Sequence, residues 1–155
     1  MAIIGMVRHG ITEWSIQERA QGLSNIPLNE EGRKQAKYLG MKLKNENWDL
    51  IITSNLIRAK ETAEIIAYEI GVNHIIEDVR IREIDCGRIE GMTEEQRIKK
   101  WGSRWRELDL GMESFDDVAC RGVIFLEETC DTYKDMRVLV VTHGALIGLS
   151  EVYSI

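Results

Sequence analysis

Two short apolar runs at opposite ends of the chain each break off in a histidine followed by a glycine. Ile3-Ile4-Gly5-Met6-Val7 runs into Arg8-His9-Gly10, and Val138-Leu139-Val140-Val141 runs into Thr142-His143-Gly144. Runs this short and this rich in β-branched residues read as buried strands rather than helices. A buried strand that stops at polar residues carries them to the edge of its sheet. In open α/β sheets, ligands bind outside the carboxyl ends of the strands. If both runs lie in one parallel sheet, His9 and His143 emerge at the same edge with Arg8 beside them. Arg8 supplies a planar fork of donors suited to phosphate. His9 supplies a ring nitrogen that can serve as nucleophile, base or ligand. Gly10 lets the chain turn away without a side chain crowding the site.

Between the two runs, strand and helix signals alternate. Residues 11–28 are polar and glycine-containing and read as a loop. Asn29 is a good N-cap, followed by Glu30 and Glu31, for a helix whose buried stripe is Ala36, Leu39, Gly40 and Leu43 and which ends near 45–48. A second strand is expected over 49–54. Ser54 or Asn55 then caps a helix with core residues Ala59, Ala63, Ile66, Ala67 and Ile70, stopped by Gly71. Residues 74–77 read as a third strand. Thr93-Glu94-Glu95-Gln96 is a capping box for a helix that carries Lys99, Lys100, Trp101 and Trp105. A further helix starts near Ser114, with Val118, Gly122, Phe125, Leu126 and Thr129 on one face, and a last one is expected over 144–152. The alternation predicts an α/β fold with a mainly parallel sheet.

Composition narrows the function. The 155 residues are expected to form one domain over 1–155, and a 44% hydrophobic content supports a soluble, packed core. A net charge of −6 argues against general nucleic-acid binding, which needs a basic face. No apolar run approaches membrane-spanning length, and the first residues do not read as a secretory signal. Cys86, Cys120 and Cys130 are odd in number and show no C-x-x-C spacing, which points to reduced thiols in a cytoplasmic protein.

Arg58 falls in the first turn of its helix, where a cation opposes the helix dipole. It reads either as a solvated arginine or as a residue held there to meet an anion. His74 reads as structural, and Cys86 as a core or pocket-lining thiol. Residues 99–106 read as a solvated basic face or, alternatively, a lid over an anionic ligand. Trp101 and Trp105 read as packing residues. Glu13 and Glu90 read as surface or hydrogen-bonding carboxylates, with Glu13 also a candidate for a pocket entrance.

The ordered set of Arg8-His9-Gly10, Arg58, Glu83 and Thr142-His143-Gly144 resembles the histidine phosphatase (phosphoglycerate mutase-like) superfamily. Arg19-x-Gln21-Gly22 with Pro27-Leu28 is similar to the family's loop after the first strand. Ser54-x-Leu56-x-Arg58-Ala59-x-x-Thr62-Ala63 is similar to its second arginine motif. Glu83-x-x-x-Gly87-x-x-Glu90-Gly91 is similar to the segment with the acidic catalyst, and Glu113-Ser114-x-x-Asp117-x-x-x-Arg121 also fits. The resemblance implies a three-layer α/β sandwich with helices on both faces. It implies hydrolysis of phosphate monoesters through a phosphohistidine on His9, with Glu83 as proton donor and Arg8, Arg58 and His143 holding the phosphate. Ser15, Arg19, Gln21 and Gly22 are the candidate substrate-binding residues. The implied partner is a phosphorylated small molecule, with no metal, cofactor, nucleic acid or membrane. A metal hydrolase using His9, His143 and Asp85 is the alternative that the residue types leave open.

Departures sharpen the expectation. The family often has Glu at Ile11, Asn at Ser15, Asp at Asn25 and Trp at Ile89. The mutase branch usually has Tyr at Cys86 and Lys at Glu94, so the resemblance favours a phosphatase, closest to the broad-specificity and α-ribazole phosphatase-like members. A mutase-type phosphotransferase remains an alternative. Family members usually continue past this second histidine into a further strand, whereas this sequence stops at Ile155. An unpaired sheet edge, lowered stability or a homodimer is therefore expected, and a weakly active or inactive phospho-ligand-binding remnant is a further alternative.

Overall fold

Burial alternates along the strands and builds a core on each face of one sheet. In the computed structural model, which describes residues 1–153 and side chains through Ser150, the strands are β1 (Ile3–Arg8), β2 (Leu50–Thr53), β3 (Ile75–Glu77) and β4 (Arg137–Thr142). Leu50, Ile52, Val138 and Val140 enter one core, and Val7, Ile51, Leu139 and Val141 enter the other. That is the period of two expected of strands buried on both sides. All pairings are parallel, in the order β1-β4-β2-β3, so β1 and β3 are the outer strands of the described sheet.

The helices are α1 (Glu13–Ile16), α2 (Glu30–Leu43), α3 (Ile57–Ile70), α4 (Glu94–Trp101), α5 (Phe115–Thr132) and α6 (Gly144–Tyr153). Ala59, Ala63, Ile66 and Ala67 of α3, with Leu39 and Leu43 of α2, cover one face. Val118 and Phe125 of α5 and Leu146 of α6 cover the other. The order of the strands explains this division. The chain steps from β1 to β2 to β3 in one direction across the sheet and then returns to place β4 between β1 and β2. Parallel crossovers keep one hand, so the returning connection, with α5, must cross the opposite face. The result is the three-layer sandwich, with helices on both faces of the sheet, that the resemblance implies.

Several local expectations are corrected. The 11–28 stretch contains α1, a single turn closed by a Thr12/Ser15 capping box. The N-cap of α3 is Leu56, not Ser54 or Asn55, and has no side-chain cap of its own. The Ile57 N–H is instead met by Asn25 Oδ1, reaching in from the loop at 2.9 Å. Trp105 does not continue the helix of Trp101. Gly102 takes a φ of 88° and ends α4, and Trp105 sits on a separate 3₁₀ turn, where it is buried. Asn29 does cap α2, accepting the Gly32 N–H at 2.8 Å. Gly10 and Gly32 let α2 press against the chain leaving β1: a Cβ on Gly10 would lie 2.5 Å from the Gly32 carbonyl oxygen. The expected end at Ile155 lies outside the described residues. Among the described residues, no helix is long and apolar enough to cross a membrane.

Candidate active site

Three neighbouring strands, β1, β4 and β2, each deliver a polar residue just past their last ladder position. The ladder runs slightly beyond the strands: the His9 N–H donates to the Thr142 carbonyl at 3.1 Å, and the Ser54 N–H donates to the Val141 carbonyl at 3.0 Å. His9, His143 and Ser54 are therefore placed by backbone pairing. The rings of His9 and His143 lie 5.1 Å apart between centroids.

A hydrogen bond assigns the ring proton of His9. His9 Nδ1 lies 2.7 Å from the Gly10 carbonyl oxygen, which can only accept. The proton is therefore on Nδ1, and Nε2 keeps a free lone pair. Burial, helped by the positive charges of Arg58 and Arg8, lowers the His9 pKa to about 4, so the ring is neutral at physiological pH. His143 is fully buried and its pKa is also held well below the usual 6.5, first by burial and then by Arg58. Its Nε2 lies 2.8 Å from Ser54 Oγ. Ser54 Oγ also accepts the Leu56 N–H at 3.2 Å, so one hydroxyl joins the start of α3 to His143. The other ring nitrogen of His143, Nδ1, has no protein partner.

Arg58 is completely buried, which overturns the reading of a solvated arginine. Its Nη1 and Nη2 donate to the carbonyls of Ser24 and Gly22, each at 2.7 Å, while Nε has no protein partner. Thr62 locks this arginine to the strand end: its hydroxyl accepts the Gly10 N–H at 3.1 Å and donates to the Arg58 carbonyl at 2.7 Å. Arg8 is exposed and packs its guanidinium against Gly144, where a Cβ would come within 3.3 Å of Arg8 Cζ. Glu83 is half-buried beside the start of α6, accepting the Ile84 N–H at 3.0 Å and the Ala145 N–H. Burial raises its pKa above 4.5, against the pull of Arg58 and Arg8. A neutral imidazole with a free lone pair, two arginines, a second imidazole with an unpartnered ring nitrogen and a carboxyl with raised proton affinity thus share one sheet edge. This set can clamp an anion, attack it and supply a proton.

The candidate substrate loop is occupied with internal bonds. Ser15 Oγ accepts from the Thr12 N–H and from Gln21 Nε2, at 3.1 and 3.0 Å, and still faces a cavity shared with Arg8, His9 and Gln35. Gln21 Oε1 accepts the Thr12 hydroxyl at 2.7 Å. Arg19 Nη1 donates to the Gly91 carbonyl at 2.6 Å, so it ties this loop to the segment after Glu83. Gly22 presents its carbonyl to Arg58, and the Glu90 carboxylate accepts the Leu23 N–H at 2.5 Å. Cys86 is buried beside Glu83 and Glu90, and its thiol is pushed up to about 11, which keeps it protonated. Asp85 turns its carboxylate onto the Gly87 N–H at 2.9 Å. His74 is exposed and lies away from the edge, just before β3. In the 99–106 run, Arg106 is committed to Glu94.

Ser54 and Thr62, visible in the sequence only as members of the second arginine motif, brace His143 and Arg58 respectively. Ser54 carries the same signal as the histidines, a polar residue closing an apolar run, but reads more simply as a helix cap. The sequence model of the histidine phosphatase superfamily (branch 1) matches residues 4–150. The chain is 38% identical over 147 residues to the uncharacterized phosphatase PhoE of Bacillus subtilis, covering 95% of this chain and 74% of the relative. It is 36% identical over 159 residues to the probable phosphoglycerate mutase GpmB of Photorhabdus laumondii, covering 96% and 72% respectively. It superposes on a mycobacterial glucosyl-3-phosphoglycerate phosphatase solved with VO3, with a TM-score of 0.85, 32% identity, and coverage of 94% of this chain and 77% of that one. The edge geometry, the matched model and the relatives named as phosphatases support one assignment: the chain belongs to the histidine phosphatase superfamily (branch 1), and it is a phosphatase.

Proposed function

We propose that this chain hydrolyses small-molecule phosphate monoesters through a phosphohistidine at His9 Nε2, with Glu83 as general acid and then general base and with no metal cofactor. The observation that carries the reading is the His9 ring, neutral, with its proton on Nδ1 and its Nε2 lone pair free. Nε2 attacks phosphorus, the P–O bond to the leaving group breaks, and Glu83 gives its proton to the departing alkoxide. Glu83, now a carboxylate, takes a proton from water as the oxygen attacks phosphorus. The P–N bond breaks, and neutral His9 and inorganic phosphate are restored. Arg8, Arg58 and His143 hold the phosphoryl oxygens. Ser15 is the loop residue best placed to touch the substrate, whereas Arg19, Gln21 and Gly22 shape the wall behind it.

The acidic charge and unpaired thiols fit a cytoplasmic enzyme, with residues 1–155 in a single domain, that acts on soluble phosphorylated metabolites rather than on nucleic acid or membranes. A homodimer formed through an outer strand of the described sheet, β1 or β3, belongs to the same reading. The relative named a probable mutase keeps phosphotransfer as the second reading.

The test is hydrolysis of p-nitrophenyl phosphate in EDTA by the intact chain and by His9→Ala. Activity that survives the chelator, disappears in the variant and releases one phosphate per nitrophenol supports the reading. Return of the phosphoryl group to an added alcohol in place of water would support the mutase. Folded protein that binds phosphate without turnover would support a binding remnant.

A further inference from the structure

We infer that Arg121 and Glu113 are positioning residues for the general acid: together they hang the Glu83 segment from α5 at the height the leaving group needs. The inference rests on the proposed role of Glu83. That residue has no ladder to place it, since residues 78–93 contain only two 3₁₀ turns, Val79–Ile81 and Gly87–Ile89.

The Arg121 guanidinium spends all five of its N–H donors here. Nε and Nη2 meet the Glu113 carboxylate at 2.8 and 3.0 Å. Nη1 donates to the carbonyls of Arg80 and Arg82, each at 2.7 Å, and Nη2 donates to the carbonyl of Glu83 itself at 3.0 Å. Glu113 holds the other side of the same segment. Its Oε2 accepts the Asp85 N–H at 3.1 Å, and its own N–H donates to the Asp85 carbonyl at 2.9 Å. Glu83 is thus held by its own carbonyl and, through Arg82 and Asp85, on both flanks. Both side chains are largely shielded, with 16% and 19% of their surface exposed. A bidentate pair of this kind is rigid as well as strong, because the planar fork fixes its angle. Lysine can keep the charge at this position, but it cannot bond three carbonyls and a carboxylate at once.

A pair that served only the fold would affect all substrates alike. A pair that positions the acid affects them according to leaving group, because p-nitrophenolate departs without a proton and an alkoxide does not. The experiment measures kcat/KM for p-nitrophenyl phosphate and for glycerol 2-phosphate with the wild type, Glu83→Gln, Arg121→Lys, Glu113→Gln and the Arg121→Lys/Glu83→Gln double variant. The ratio of the two substrates in one sample does not depend on how much of the enzyme is folded.

In Glu83→Gln the glycerol phosphate to nitrophenyl phosphate ratio should fall by about a hundredfold or more, the usual worth of a general acid. In Arg121→Lys and Glu113→Gln it should fall by about tenfold, and the double variant should be no worse than Glu83→Gln alone, because residues acting through one group are not additive. Equal losses on both substrates in Arg121→Lys and Glu113→Gln, beside a selective loss in Glu83→Gln, would overturn the positioning role and leave the acid assignment standing. An unchanged ratio in Glu83→Gln would overturn the acid assignment, and the positioning role with it. Failure of both clamp variants to give any folded enzyme would make the pair a staple of the fold and would also overturn the inference.

Discussion

His9, His143 and Ser54 stand just past the ends of three adjacent strands, whereas Glu83 stands in an irregular segment slung beneath α5. The two halves of the site are held by different physics. On the strand side, backbone bonds fix where each residue leaves the sheet, and the side chain has only to choose a rotamer. On the loop side, the backbone has no ladder, and its place is set by side chains that are themselves distant in the sequence. The difference also appears in the protonation states. Both imidazoles of the strand half are driven neutral by burial, and the carboxyl of the loop half is driven toward its protonated form. The same desolvation that keeps His9 neutral favours the proton on Glu83, because it opposes charge of either sign.

Removing the proposed nucleophile tests the strand half most severely. His9→Ala should lower kcat on p-nitrophenyl phosphate by at least about a thousandfold, since the proposed mechanism carries the phosphoryl group on His9. Brief incubation with labelled substrate followed by alkaline quench should trap label on the wild type and none on the variant.

Acid should weaken the strand half before the loop half. The unfolded imidazole of His9 takes up a proton near 6.5, but the folded one does so only near about 4. Between those values the unfolded state binds more protons, so stability falls as pH falls through that window, by about 3 kcal/mol from His9 alone. His143 acts in the same sense. Glu83 acts in the opposite sense, because its raised pKa favours the folded state at low pH. Urea midpoints measured from pH 7 to pH 4 should therefore decline, and His9→Ala should flatten the decline. The kcat/KM profile should lose its acid limb near about 4, where His9 protonates, and its alkaline limb above 4.5, where Glu83 ionises.

Gly10→Ala probes the backbone beneath His9. The new Cβ would press on the Gly32 carbonyl oxygen and Cα, both main chain, which cannot rotate away. A loss of about 2 kcal/mol is expected in denaturant unfolding, together with a fall in kcat as His9 is displaced. Ser54→Ala should be the mildest change. It leaves His143 Nε2 and the Leu56 N–H without their partner, costing about 1 kcal/mol of stability and about tenfold in kcat, with little change in KM. If Ser54→Ala altered the preference between aryl and alkyl phosphates as strongly as Glu83→Gln, the division between the two halves would fail.

The strand half is legible in the sequence because its rule is local. An apolar run that ends in a polar residue identifies both the strand and the ligand-facing side chain, and Ile3 to His9 and Val138 to His143 follow it. Asn29, Thr93 and Ser114 announce their helices by the same kind of short-range chemistry. What depends on distant partners is not legible. Arg58 looks solvated or anion-seeking until the carbonyls of Gly22 and Ser24 appear on either side of it. Nothing in the neighbourhood of Arg19 points to the Gly91 carbonyl, 72 residues away, to which it donates. Trp101 and Trp105 share a helical spacing, but one glycine with positive φ between them sends them to different elements. The family motif containing Glu113 and Arg121 is visible in the sequence, but its purpose is visible only from the carbonyls it collects.

The order of the strands has a consequence for how the molecule is born. β2 and β3 are consecutive neighbours and can pair as soon as both have been synthesised, but in the described sheet β1 has β4 as its only partner. Until Arg137–Thr142 leaves the ribosome, β1 has no strand to lie against, and the gap between it and β2 stays open. Closing it brings together chain segments 134 residues apart, His9 and His143 among them. Contacts of that span are entropically slow and leave apolar edges open to wrong partners while they wait. Catalytic competence is therefore a late event in the life of each chain: a nascent protein holding most of its helices would still be unable to bind or cleave a phosphate.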